Sequence, residues 1–420
     1  MGGDVIMQIQ SVELNNFRGI NNIFLNFEGK SAILFGINGV GKSTILKAIE
    51  LSLAQLITRA ANNQFKQQIT TGREDVRYGA KSYSIQADFA LDDGKCYPYA
   101  TGYDKTTGKR SYDARTFNTL VKSFVDAYME DDHMLPVFVS YGVNRAVLDV
   151  PVRIRKKHEF GRIETYLNAI GSKTDFRVFF EWFRNQEDYE NEQKVQSGDL
   201  SYRDTALEAV RNAITALLPD LSNIRITRSP LRMCATKRGH TLEINQLSDG
   251  EKCALAMMGD LARRLTLANP HTETPLLGGG IVLIDEIELH MHPSWQRAII
   301  PILHKVFPNI QFIITTHSPQ VLGELTKDFK VFKLSQSEED TEALDVVPGY
   351  YDSNLVLEEY MGTPSVNENV EKLEEKIFAC IQGKDYFAAK NFISQLSTLT
   401  NGTHPAITKA QILIRRAERM

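Results

Sequence analysis

Residues 31–44, SAILFGINGVGKST, constrain the fold of this chain more than any other stretch. A short continuous apolar run ends in glycine, a glycine-rich loop follows, and TILKAIELSLAQLI then reads as a helix. Strand, glycine loop and helix in that order are what a phosphate-binding loop needs, and Gly36-Ile-Asn-Gly-Val-Gly41-Lys42-Ser43 fits the pattern GxxxxGK(S/T). The glycines let backbone N–H groups turn inward around a β-phosphate, with the positive end of the helix behind them. Asn38, Gly39, Gly41, Lys42, Ser43 and Thr44 are therefore the candidate phosphate contacts of a bound nucleotide. Lys42 is placed to reach the β- and γ-phosphates and the Ser43 hydroxyl to ligate Mg²⁺.

About 240 residues later, IVLIDE forms a second apolar run, with Asp285 and Glu286 at its end. Open α/β sheets bind their ligands at the carboxyl ends of their strands. Asp285 is a second candidate ligand for Mg²⁺, and Glu286 is the candidate general base for an attacking water. Between the two lies Leu247-Ser-Asp-Gly-Glu-Lys252, at the head of a long amphipathic helical pattern. A plain Ser/Asp helix cap accounts for those residues locally, but not for their place between two nucleotide motifs.

That hexapeptide resembles the signature of ABC ATPases, LSGGQ, and more closely its LSxGE variants in SMC-like heads. Asp249 replaces the first glycine and Glu251 the glutamine. The resemblance implies that Ser248, Gly250 and Glu251 serve a nucleotide held by a second copy of the chain, so that ATP joins two heads into a homodimer. Glu288-Leu-His290-Met-His292-Pro293 could be read as a metal site but is similar to the D-loop of RecF- and OLD-like ATPases, which lines the dimer seam. Thr315-Thr316-His317-Ser318 resembles the family's switch histidine, which implies a γ-phosphate contact for His317. Asn16-Phe17-Arg18-Gly19 resembles the turn whose arginine approaches the phosphates; a surface arginine is the alternative for Arg18. No clear Q-loop glutamine follows VFVSY, where Asn144 and Arg145 are the polar candidates.

The expected fold is α/β: an ABC-type P-loop NTPase head with a short helical insert, no long coiled coil, and a small C-terminal helical domain. The expected segments are an N-terminal lobe over 1–162, the insert and its connecting strands over 163–240, the rest of the ATPase over 241–347, and a helical tail over 348–420. The insert is too short for SMC arms. The roughly 100 residues after His317 show no DxD and no Toprim start, so no nuclease site is expected in the chain.

Four longer runs narrow the resemblance further: FFEWFRNQEDYENE, LSDGEKCALAMMGDLARRLTLANP, GIVLIDEIELHMHPSWQR and DSNLVLEEYMG. They look like the anti-phage ATPases of the Septu PtuA group and their retron-associated relatives. That resemblance implies a separate HNH nuclease partner of the PtuB kind, with the tail as docking platform or as a lid on the chain's own core. A RecF-like, DNA-binding repair ATPase is the alternative.

Charge and cysteines bound the partners. A net charge of −4 over 420 residues gives no global attraction to polyanions, so any nucleic-acid contact must be local. Arg153, Arg155, Lys156, Lys157 and Arg162 form the one basic cluster dense enough to suggest it. Four scattered cysteines without CxxC pairing point to a reducing compartment. With no window of about 20 apolar residues and no signal-peptide pattern, a cytoplasmic protein without membrane contact is expected.

Overall fold

The five residues Ser31–Phe35 (β3) are buried at every position, as are Val137–Tyr141 (β7), Gly280–Ile284 (β11) and Ile310–Thr316 (β12). Strands apolar on both faces belong inside a parallel sheet covered on both sides. In the computed structural model these four pair in parallel, in the order β3-β12-β11-β7. Phe329–Gln336 (β13) extends the sheet in parallel beside β3, and Thr341–Val346 (β14) closes that edge antiparallel. The structure describes residues 7–61, 71–91, 93–129, 133–143, 160–171, 176–323, 325, 327–337, 340–347, 355, 356, 358 and 368–417.

A second, antiparallel sheet has the order β2-β1-β4-β5-β6. Its strands are Gln8–Phe17 (β1), Ile20–Asn26 (β2), Ser82–Ala90 (β4), Cys96–Asp104 (β5) and Lys109–Tyr112 (β6). Alternating burial along β2 and β4 shows one face on the core and one in water. Gln311, buried within β12, staples the two sheets together. Its amide oxygen accepts the Ile9 N–H at 2.7 Å, and its amide nitrogen donates to the carbonyls of Ile9 and Lys30, both at 2.9 Å.

Helix α1 (Lys42–Ala60) follows the glycine loop, and α2 (Ala114–Tyr128) follows the antiparallel sheet. The insert holds α3 (Phe176–Ser197), α4 (Thr205–Leu217) and a small sheet of Leu221–Arg228 (β8), Leu231–Lys237 (β9) and His240–Glu243 (β10). The aromatic stripe Phe176, Phe179, Phe180 and Phe183 is buried, as the i, i+3, i+4, i+7 spacing requires.

Helix α5 (Asp249–Ala268) departs from the expected amphipathic pattern: it is buried on nearly every side, including Asp260, Arg263 and Arg264. These charges neutralise one another. Both arginines donate to the Asp260 carboxylate at 2.7 Å, and the Tyr141 hydroxyl donates to it at 3.0 Å. Burial alone would raise the Asp260 carboxyl, but the two guanidinium groups hold it at about 2. A polar face can thus be an interior one when its charges are paired.

Helix α6 is Pro293–Val306 and α7 is Pro319–Leu322. The chain divides into two compact units, Met1–Tyr351 and Asp352–Met420. In the second, α8 (Glu368–Gln382), α9 (Tyr386–Leu399) and α10 (Pro405–Ala417) pack around Ile377, Ala389, Leu396, Ala410 and Ile414. Among the described residues no helix is long and apolar enough to cross a membrane.

Candidate functional site

The loop between β3 and α1 needs glycine where it turns. Gly39 has φ of 83° and Gly41 of 101°, left-handed values that favour a residue without Cβ. Gly41 is also the N-cap of α1 and provides no side-chain cap, so the first-turn N–H groups are left to a ligand's oxygens. Asn38, Gly39 and Ser43 are exposed along this loop and Thr44 is half-buried.

Lys42 is buried, and its ammonium donates to the carbonyls of Gly36 and Ile37, both at 2.8 Å. It also lies 3.3 Å from Nδ1 of His317. Burial pulls the ammonium down from 10.5, and Glu288, Asp285 and Glu286 counter only part of that, leaving it at about 8. The switch histidine and the loop lysine, 275 positions apart, are therefore neighbours, because β3 and β12 are adjacent strands.

Asp285 follows β11, one strand beyond β12. Its carboxylate accepts from the Ser43 hydroxyl at 3.1 Å and from the Thr315 hydroxyl at 2.5 Å. These contacts put the two expected metal-ligating oxygens side by side. Glu286 sits in the left-handed region at φ 47°, and its N–H is held by Thr315 Oγ1 at 2.8 Å. A left-handed non-glycine residue carries strain that tertiary contacts must support, and such residues gather at functional sites.

Glu288 is the residue whose part sequence reasoning did not assign. Its carboxylate accepts the His317 N–H at 2.5 Å and the Thr316 hydroxyl at 2.8 Å. The segment after Asp285 thereby holds His317 in place. Glu288 opens the Glu-Leu-His-Met-His-Pro run, and its contacts with Thr316 and His317 span 28 and 29 positions of chain. His290 is exposed, and His292 is the N-cap of α6, accepting from the Ser294 N–H.

Ser248 is the N-cap of α5 in a capping box with Glu251. Its N–H and hydroxyl both donate to one Glu251 oxygen, at 3.0 and 2.8 Å. Lys237 of β9 pairs with the other oxygen. Gly250 has no room for a side chain: a Cβ there would sit 2.2 Å from the His290 carbonyl oxygen. The signature and the D-loop of one chain are thus in backbone contact. Arg18, in the left-handed region at φ 54°, is tied to Asp75 at 2.8 Å, while Lys42 meets His317 and Ser43 meets Asp285. Asn144, Arg145, Arg153, Arg155, Lys156 and Lys157 lie outside the described residues.

This sheet order, with a glycine-rich loop, paired carboxylates and a histidine on three neighbouring strand ends, is that of a P-loop ATPase head of the SMC/RecF/OLD-like class. The chain belongs to the family of the retron ATPases and is related to the Septu PtuA proteins. Two protein-family models match: an AAA domain over residues 11–225, and a second AAA domain, named for the AbiEii toxin of a Type IV TA system, over residues 147–323. The chain is 33% identical over 381 residues to the "Retron Ec83 probable ATPase" of Escherichia coli, covering 75% of this chain and 69% of that protein. It is 30% identical over 379 residues to the "Retron Vc95 probable ATPase" of Vibrio cholerae, covering 77% and 72%. Identity to the Septu protein PtuA of Bacillus mycoides is 26% over 378 residues, covering 86% of this chain and 46% of that longer protein. Among solved structures, an SMC head bound to the C-winged helix domain of ScpA superposes with a TM-score of 0.51 at 15% identity, over 81% of this chain and 98% of that one. That likeness concerns the fold.

Proposed function

We propose that the chain binds and hydrolyses ATP with Mg²⁺, that a second copy supplies the signature residues to each nucleotide, and that this cycle regulates a partner nuclease in anti-phage defence. The observation that carries the reading is that the glycine loop meets two neighbouring strand ends, through Lys42 against His317 and Ser43 against Asp285, each pair within hydrogen-bonding distance. The uncapped start of α1 and the adjacent oxygens of Ser43 and Asp285 fit a triphosphate and a hard cation. Mg²⁺, when bound, neutralises phosphate charge. Lys42 exchanges its loop carbonyls for phosphate oxygens, and the positive potential of the first turn of α1 orients the triphosphate. Glu286 takes a proton from the attacking water, and His317 reads the γ-phosphate from a position fixed by Glu288.

Among the described residues Ser248 spends its side chain on Glu251. Its exposed helix end suits a phosphate brought by another copy. Similarity to retron ATPases and Septu PtuA proteins supports the defence setting. The partner is taken to be an HNH nuclease of the PtuB kind, with the tail from 348 onward as its docking platform, the insert spanning 163–240, and the cycle running in the cytoplasm. The test is expression of the chain with its native gene neighbours as Glu286→Gln, followed by identification of what stays bound. Retained ATP, a dimer or larger assembly, and a co-purifying nuclease are expected. Rapid turnover by a dilute monomer refutes the two-copy mechanism. A chain that instead binds duplex DNA tightly on its own, with a steep salt dependence, favours a repair role.

A further inference from the structure

A helix N-terminus attracts anions through its unpaired N–H groups and dipole. The start of α5 is the end that the two-copy reading offers to a γ-phosphate, yet it carries two carboxylates, Asp249 and Glu251. Each repels phosphate unless neutralised. Asp249 is exposed and pairs with Lys252 one turn along, at 3.3 Å.

Glu251 is a different case. Its side chain is only 7% exposed and both its oxygens are engaged, one by the Ser248 N–H and hydroxyl and the other by the Lys237 ammonium. Burial raises its carboxyl, but Lys237 and Ser248 together hold it below the usual carboxylate range, so it is ionised. The cation facing it comes from another element: Lys237 ends β9 of the small insert sheet.

We infer that Lys237 is a positioning residue for the signature: by neutralising Glu251 it allows Ser248 and the first turn of α5 to accept the γ-phosphate of a second copy. This rests on the two-copy reading above. In the LSGGQ form of the signature a neutral glutamine occupies the position of Glu251, and no counter-ion is needed. Here the charge and its counter-ion sit on separate elements, so displacing β9 exposes a bare carboxylate where phosphate should dock. The same pair orders Ser248, because Glu251 is the acceptor that orients its hydroxyl.

The test uses the full chain in a Glu286→Gln background, with ATP-driven association followed by analytical ultracentrifugation. Lys237→Met should weaken association by roughly a hundredfold, about tenfold for each of the two symmetric sites, the scale of one partly screened unit charge acting over a few ångströms. Affinity for ATP in the chain's own P-loop should not change. Adding Glu251→Gln should restore association, because it removes the charge that Lys237 neutralises. Lys237→Arg should associate like the parent, as should Arg238→Ala, a control on the same hairpin. Unchanged association in Lys237→Met overturns the inference. Failure of Glu251→Gln to rescue also overturns it, by assigning Lys237 to folding alone. A parent that never associates with ATP refutes the two-copy reading and this proposal together.

Discussion

Nucleotide affinity should fall about tenfold between pH 7 and pH 9, a range in which an ordinary lysine stays charged. The cause is the burial of Lys42, which leaves its ammonium at about 8 in the nucleotide-free protein. At that value about nine-tenths of the side chain is charged at pH 7 and about one-tenth at pH 9. A triphosphate beside Lys42 favours the charged form and raises the value, so binding above pH 8 takes up a proton. By linkage, affinity therefore declines as pH rises through about 8, and a tenfold decline corresponds to about 1.4 kcal/mol. A non-hydrolysable ATP analogue titrated calorimetrically at pH 7, 8 and 9 reads the affinity. Repeating the pH 9 titration in two buffers of different ionisation enthalpy counts the protons, and uptake close to one is expected. Affinity that stays level to pH 9, or binding without proton uptake, refutes the proposed origin of the shift.

Glu288→Gln should loosen the His317 backbone, lowering turnover about tenfold or more while ATP binding at pH 7 changes little. It also removes the carboxylate that does most to support the Lys42 charge, so the decline in affinity should begin at a lower pH than in the parent. Gly250→Ala pushes a methyl group against the His290 carbonyl and should cost about 1–3 kcal/mol in local repacking, seen as impaired hydrolysis with near-normal nucleotide binding. Wild-type hydrolysis in that variant means the two loops move independently. Asp260→Asn strands two buried guanidiniums and should destabilise the head by about 3–5 kcal/mol in urea unfolding. Because the Asp260 carboxyl is depressed to about 2, its pH-linked contribution is nearly complete above pH 4 and is lost as pH falls toward 2, so the gap between parent and variant should narrow there.

Much of the nucleotide site was legible because its residues are local to strand ends. An apolar run that stops at a glycine or a carboxylate marks both the strand and the place where its ligand groups emerge, as at Gly36 and Asp285. The helical character of the tail was also readable, and it comprises the three helices α8, α9 and α10. Strand β6 was missed: its four residues KRSY are all exposed and carry no alternation. β10 escaped for the same reason, being four residues long without a buried position. The paired charges of α5 misled the pattern, since Asp260, Arg263 and Arg264 look solvent-facing until Tyr141 and the fold surround them. Lys237 and Glu288 act through partners 14 and 29 positions away, and spacing alone does not encode such pairings.

Strands β7 and β11 lie side by side, in register from Val137 with Gly280 to Tyr141 with Ile284. The described residues between them, 142–143, 160–171 and 176–279, therefore belong to an excursion that leaves the sheet at one strand and returns to it at the next. Within that excursion α5 and Ser248 are tied to the head, but the helices and small sheet that precede them can lengthen, shorten or acquire new surfaces without altering the spacing of Lys42, Asp285 and His317. One nucleotide engine can in this way be fitted to many different outputs by varying the stretch ahead of α5.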